Sequence, residues 1–403
     1  MISQKLKKII DEDKSCLFQN YGDRQPVCFI KGEGAYLYDQ DNRKYVDFLA
    51  GIAVNLLGYN HPGLIRALEG QMRRVMHTSN LYYNREQAEA ARLTSEISFP
   101  GRTLFVNSGA EASEAAIKLA RRYGKSQSPD KYGIITFEGC FHGRTFGAMS
   151  ATGQEKIRKG FDPLVPGFTH LPFNDLKAFE AEVARNKNLC AVMTELIQGE
   201  GGIKIIGRDF IKGVAAICKK NGLLLIIDEV QTGLGRTGRV FGYQHFGIEP
   251  DIITMAKGLG GGFPLGAIQA RENIAQLLEK GSHGTTFGGN HLACAAALVV
   301  LKELKKGKLQ AGAAKTGDYI VSRLKKAMPS LGCVREIRGL GLHIGIELTK
   351  PGAGIVRSAL EKGLIINCTS DKVIRIMPPL NIPLKAVKEG LDILEAILRE
   401  EGA

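Results

Sequence analysis

Tryptophan is absent from these 403 residues, and aromatic residues make up only 7% of them. Intrinsic fluorescence is therefore a poor probe, and any bound visible chromophore becomes the natural reporter. No apolar stretch approaches the ~18 residues that a membrane span requires, so no membrane partner is expected. The N-terminal MISQKLKKIIDEDKS is charged throughout and offers no apolar centre for a secretory signal. Eight cysteines, at 16, 28, 140, 190, 218, 294, 333 and 368, form no CxxC pair. That usage suits a reducing cytosol and predicts no metal site. Repeats, low-complexity tracts and long linkers are missing as well. Together these absences predict a cytoplasmic globular protein.

Hydrophobic content of 44% and charged content of 24% are ordinary for such a protein. The length exceeds one small core and predicts a large domain with a smaller companion. A net charge of +13 invites a nucleic-acid partner. The cations, however, sit in short groups such as Arg73–Arg74, Lys219–Lys220, Lys305–Lys306 and Lys325–Lys326, spaced like solvated helix faces. A field that attracts small anionic substrates explains the charge with fewer assumptions. The rival is a non-catalytic basic binding protein, which a salt-dependent gel shift would test.

One stretch, 223–262, organises the rest. The apolar run Leu223–Ile227 ends in Asp228, and the run Ile252–Met255 ends just before Lys257, which is followed by a glycine cluster. The two side chains are 29 residues apart, about one strand–connection–strand step. Carboxyl ends of strands in an open α/β sheet are where ligands sit, so both groups should reach one face. A lysine to hold pyridoxal 5′-phosphate (PLP) and a carboxylate for its pyridine nitrogen make such a pair; a strand-end cap and a solvated lysine are the plainer alternative. Ser108-Gly109-Ala110 follows the run TLFVN and opens a long helical pattern. That turn is a phosphate site as well as an ordinary N-cap. Phe141, His142 and Arg144 then share a glycine-punctuated strand-end loop. There Phe141 suits a planar ring and Arg144 a carboxylate, while His142 reads as a structural hydrogen-bonder.

The runs TLFVN, GIITF, LCAVMTEL, LLLIID and DIITM read as strands buried on both faces. Residues 1–60 read as a helix and a β-meander turning at Asp39–Asn42, residues 61–291 as the large domain, and 292–403 as an α+β segment completing a small domain with the N-terminus.

Nine collinear motifs between about residues 20 and 380 resemble the class III PLP-dependent aminotransferases. They are GEGAYLYDQDNRKYVDFLAGIAV, HTSNLYYN, NSGAEASEAAIKLARRYG, FEGCFHGRTFGAMSATG, IQGEGG, LLLIIDEVQTGLGRTG, PDIITMAKGLGGGFPLGA, HGTTFGGN and VIRIMPPL. The resemblance implies fold type I, with a mostly parallel central sheet flanked by helices and a smaller α+β domain. It implies Lys257 as the Schiff-base lysine and Asp228 as the partner of the pyridine nitrogen. Val230 and Phe141 would pack on the two ring faces, with Gln231 near the ring hydroxyl. Ser108, Gly109 and Ala110 would bind the phosphate, and Thr286 would reach it from the neighbouring subunit of a homodimer with shared active sites. Arg144 would hold a substrate carboxylate, and Glu200 would mask Arg375 except when an α-amino acid binds. Glu195, Tyr21 and Asn80 are further substrate-pocket candidates.

Within the family the resemblance is to the branch that moves the δ-amino group of N-acetylornithine to 2-oxoglutarate, on the small residues of Gly51–Val54 and on His77–Asn84. Ornithine, succinylornithine, succinyldiaminopimelate and 4-aminobutyrate are alternative donors, and an aminomutase or racemase would need no 2-oxoglutarate. Two positions depart from the family's usual pattern: Ser113 stands for Asn, and Leu196 for Pro.

Overall fold

A computed structural model describes residues 3–402. The five apolar runs are strands of one seven-stranded sheet. Its order is Arg102–Val106, Gly266–Ala270, Ile252–Met255, Leu224–Asp228, Leu189–Glu195, Gly133–Phe137, Phe168–Leu171. The pairings from Ile252–Met255 to Phe168–Leu171 are parallel, while Gly266–Ala270 runs antiparallel to both neighbours. Successive residues of a central strand face different cores. Leu225 and Ile227 join one cluster, and Leu224 and Ile226 join another on the opposite face. That double burial is why these strands read as unbroken apolar runs.

Two strands of this sheet escape such a reading. Phe168–Leu171 is a half-buried edge strand with a polar centre. Gly266–Ala270 is built from weak strand formers, yet it is buried throughout. Its first residue must be small, since a Cβ on Gly266 would stand 2.2 Å from the Ser108 carbonyl oxygen. The antiparallel strand thus presses the Ser108 turn into place.

The meander Phe29–Glu33, Tyr36–Asp39 and Lys44–Asp47 gains a fourth strand, Leu364–Ile365, parallel to Lys44–Asp47. A separate antiparallel sheet is ordered Val334–Leu340, His343–Leu348, Val373–Ile376, Asn367–Thr369. It carries His343 and Arg375. Leu384–Glu400 is an amphipathic helix whose apolar stripe, including Leu391, Leu394 and Leu398, enters the main core. Among the described residues no helix is long and apolar enough to cross a membrane.

Candidate active site

A cavity of about 490 Å³ opens at the carboxyl ends of the parallel strands, within the roughly 300–1,000 Å³ usual for small-molecule sites. Asp228, the last residue of its strand, and Lys257, two residues beyond Met255, both line it. The Asp228 carboxylate is held from three directions. Oδ1 accepts hydrogen bonds from the Val230 amide and the Thr254 hydroxyl, each at 3.0 Å, and Oδ2 meets His142 Nδ1 at 2.6 Å. Burial works against the His142 imidazolium, but Cys140 and the bonded Asp228 carboxylate hold its pKa well above the ordinary value. His142 therefore serves as the cation that steadies Asp228, and its Nε2 has no partner among the described residues.

Lys257 adopts φ +43°, left-handed backbone that a non-glycine residue occupies only when its surroundings impose it. The next residue packs closely: a Cβ on Gly258 would stand 2.3 Å from Leu56 Cδ1. Burial lowers the Lys257 pKa and Arg375 adds to the effect, against the pull of Glu200, Asp228 and Glu195. The neutral amine is thereby more available as a nucleophile. Glu195 is pushed up to about 7, by burial first and by Asp228 in addition. Its two oxygens accept the Phe141 and Gly199 amides, at 2.9 and 3.1 Å. In this geometry Glu195 staples the Phe141 loop to the Gly199 loop.

The 19-residue helix Gly109–Gln127 points its N-terminus into the cavity. Ser108 caps it by accepting the Glu111 amide, and Ala112 bonds the Ser108 carbonyl. The Gly109 and Ala110 amides are left without a partner among the described residues, which with the helix dipole suits this cradle to a phosphate. Val230 and Phe141 line the cavity beside Asp228 and the helix N-terminus. A Cβ on Gly109 would come within 3.1 Å of Val230 Cγ1, so a larger residue there would have to shift Val230 by a few tenths of an ångström. Amine, carboxylate, ring walls and unpartnered amides fit a phosphorylated pyridine aldehyde.

Two predicted guanidinium groups sit differently: Arg144 lines the cavity, whereas Arg375 does not line it and meets it through Glu200, which does. Arg144 is exposed at the mouth, its charge 5.1 Å from the Phe141 ring centre. Arg375 is buried; it donates to Asn367 Oδ1 at 3.0 Å and forms a close ion pair with Glu200. Burial works against the Glu200 carboxylate, but Arg375 above all, with Lys257 and Gln231, holds it below the usual carboxylate range.

Tyr21, Asn80 and Thr286 do not line this cavity. Tyr21 is exposed with Arg24 over its ring. Asn80 donates to the carbonyls of Thr285 and Gly288, tying its segment to the loop of the exposed Thr286. Leu196 is buried in the main core and Ser113 on the helix behind the cradle, away from the cavity lining. Val54, from the small-residue segment Gly51–Val54, lines the cavity, as do Asn107 and Phe263–Leu265, which sequence reasoning passed over along with His343 behind Gln231. Of the residues passed over, His343 left a signal, as an imidazole opening a strand run that is apolar up to Glu347.

Residues 18–398 match the family described as aminotransferase class-III. An acetylornithine aminotransferase of Caldanaerobacter subterraneus subsp. tengcongensis is 49% identical over 97% of this chain and 99% of its own. The crystal structure of acetylornithine aminotransferase from Elizabethkingia anophelis superposes with a TM-score of 0.88 at 31% identity, covering 98% of this chain and 99% of that one. A Toxoplasma gondii ornithine aminotransferase, described with partial occupancy of PLP at its active site, gives a TM-score of 0.93 at 32% identity, covering 99% and 95%.

Proposed function

The chain belongs to the class-III aminotransferases, and from that premise we propose that it transfers the δ-amino group of N-acetylornithine to 2-oxoglutarate. The products are N-acetylglutamate 5-semialdehyde and glutamate, and the reverse direction serves arginine biosynthesis. PLP, when bound, carries the migrating amino group and delocalises the electron pair left on the substrate carbon. Lys257 would hold the cofactor, and its amine would be the group that moves a proton between the reacting carbons. Asp228, steadied by His142, keeps a proton at the pyridine nitrogen. Ser108, Gly109 and Ala110 would hold the cofactor's phosphate, and Val230, Phe141 and Gln231 would line its ring.

The observation that carries the reading is one exposed and one masked arginine around a single lysine. An acylated ornithine reacts far from its carboxylate, which Arg144 holds while Glu200 covers Arg375. Glutamate reacts beside its α-carboxylate, which takes Arg375 from Glu200 while Arg144 holds the distal carboxylate. Identity of 49% over nearly the whole chain to an acetylornithine aminotransferase supports the donor. The test is the visible spectrum of the holoprotein with N-acetylornithine and no 2-oxoglutarate. Conversion of the cofactor band to that of the aminated cofactor is expected. A band that responds only to ornithine or succinyldiaminopimelate would reassign the donor.

A homodimer with shared sites accounts for Thr286, which lies outside the cavity of its own chain. Exposed Leu81, Tyr82, Tyr83 and Phe287, beside the Asn80–Gly288 hydrogen bond, supply an apolar surface for the second copy. Light scattering at twice the chain mass is the expected result. Eight free thiols among the described residues support a cytoplasmic location.

A further inference from the structure

His343 is fully buried and bonds through Nε2, at 2.9 Å, to Oε1 of Gln231, itself 8% exposed. No part of the chemistry above uses it. The amide oxygen accepts only, so the imidazole proton sits on Nε2. Nδ1 is then bare, and it has no partner among the described residues. A second proton there is opposed by burial and by Arg236, Arg375 and Lys257, which hold the ring neutral. Gln231 has little freedom of its own, because a Cβ on Gly199 would stand 2.0 Å from its Oε1. With the oxygen turned to His343, the amide nitrogen is the Gln231 group left to face Glu200, which lines the same cavity, follows Gly199 in the chain and has its pKa lowered in part by Gln231. If the amide reversed, its oxygen would oppose the Glu200 carboxylate.

We propose that His343 is a positioning residue for the substrate gate: by fixing the Gln231 amide, it favours the closed Glu200–Arg375 pair. The inference rests on the gate reading given above and adds the group that sets its balance. His343→Leu removes the donor. His343→Gln, whose amide nitrogen reaches about as far as Nε2, restores one. The first readout is the ratio of kcat/KM for N-acetylornithine to that for glutamate, each half-reaction followed alone. The ratio is expected to fall about five- to tenfold in His343→Leu, as a hydrogen bond to a charged group acting at one remove warrants, and to recover in His343→Gln.

The second readout needs no cofactor: 15N chemical shifts of histidine-labelled protein, with His343→Gln identifying the signal. A neutral Nε2–H tautomer is expected, and Nδ1–H would overturn the proposal even if the leucine variant failed to fold. An unchanged ratio in His343→Leu beside a changed ratio in Glu200→Ala would sink the role of His343 and leave the gate standing. Unchanged ratios in both would remove the gate and the proposal with it.

Discussion

Replacing Glu200 by glutamine uncovers a guanidinium that the fold otherwise almost seals. Arg375 is 2% exposed, and Glu200 is its carboxylate partner among the described residues. Its other bonds, to Asn367 and the Gly199 carbonyl, are neutral. An incoming α-carboxylate must displace Glu200 to reach it, whereas N-acetylornithine leaves the pair intact. A hydrogen bond to a charged group contributes about 1.5–3 kcal/mol. The Glu200 side chain is 32% exposed, so water replaces part of what is lost. An estimate of about 2 kcal/mol corresponds to about a 30-fold change in a rate or binding ratio. In Glu200→Gln, kcat/KM for glutamate relative to N-acetylornithine should therefore rise about 30-fold. The assay is stopped-flow absorbance of the cofactor, with one substrate present at a time. The same variant should be less stable near neutral pH. Because the folded-state pKa of Glu200 is depressed, its contribution is present above the ordinary carboxylate value and lost as pH falls through the depressed one. The Tm gap to wild type should thus close on acidification. A selectivity ratio within twofold of wild type, despite a lowered Tm, would make Glu200 a plain structural counter-ion and refute the reasoning.

Lys257→Ala should lose about 10³-fold or more in both half-reactions, since one residue is tether and proton carrier; single-turnover rates with preloaded cofactor check this. Asp228→Asn preserves shape but removes the charge facing the pyridine nitrogen, and kcat should fall about 10²- to 10³-fold with the cofactor still retained on gel filtration. His142→Asn should cost about 2 kcal/mol at neutral pH. Because the His142 pKa is raised in the fold, this contribution is complete below the ordinary 6.5 and lost as pH rises through the raised value. Melting curves of the two proteins should therefore converge at alkaline pH. Gly258→Ala places a methyl group 2.3 Å from Leu56 and should destabilise by about 1–3 kcal/mol, read as a lower denaturant midpoint.

The chain's apolar patterning by itself determined the parallel sheet, because strands buried on both faces need unbroken apolar runs and Leu224–Asp228 faces two cores. It also brought Asp228, Lys257, Ser108 and the Phe141 loop to one sheet edge, because strand ends in such a sheet share a face. Gly266–Ala270 was invisible to that logic. Its first residue, Gly266, is fixed by the approach of Ser108, a contact between segments distant in sequence. For the same reason only the tertiary structure decided the pairings His142–Asp228, Glu200–Arg375 and His343–Gln231, which span 86, 175 and 112 residues. Patterning is a local property of the chain, whereas a buried polar group is satisfied by whatever partner the completed fold brings within hydrogen-bond reach.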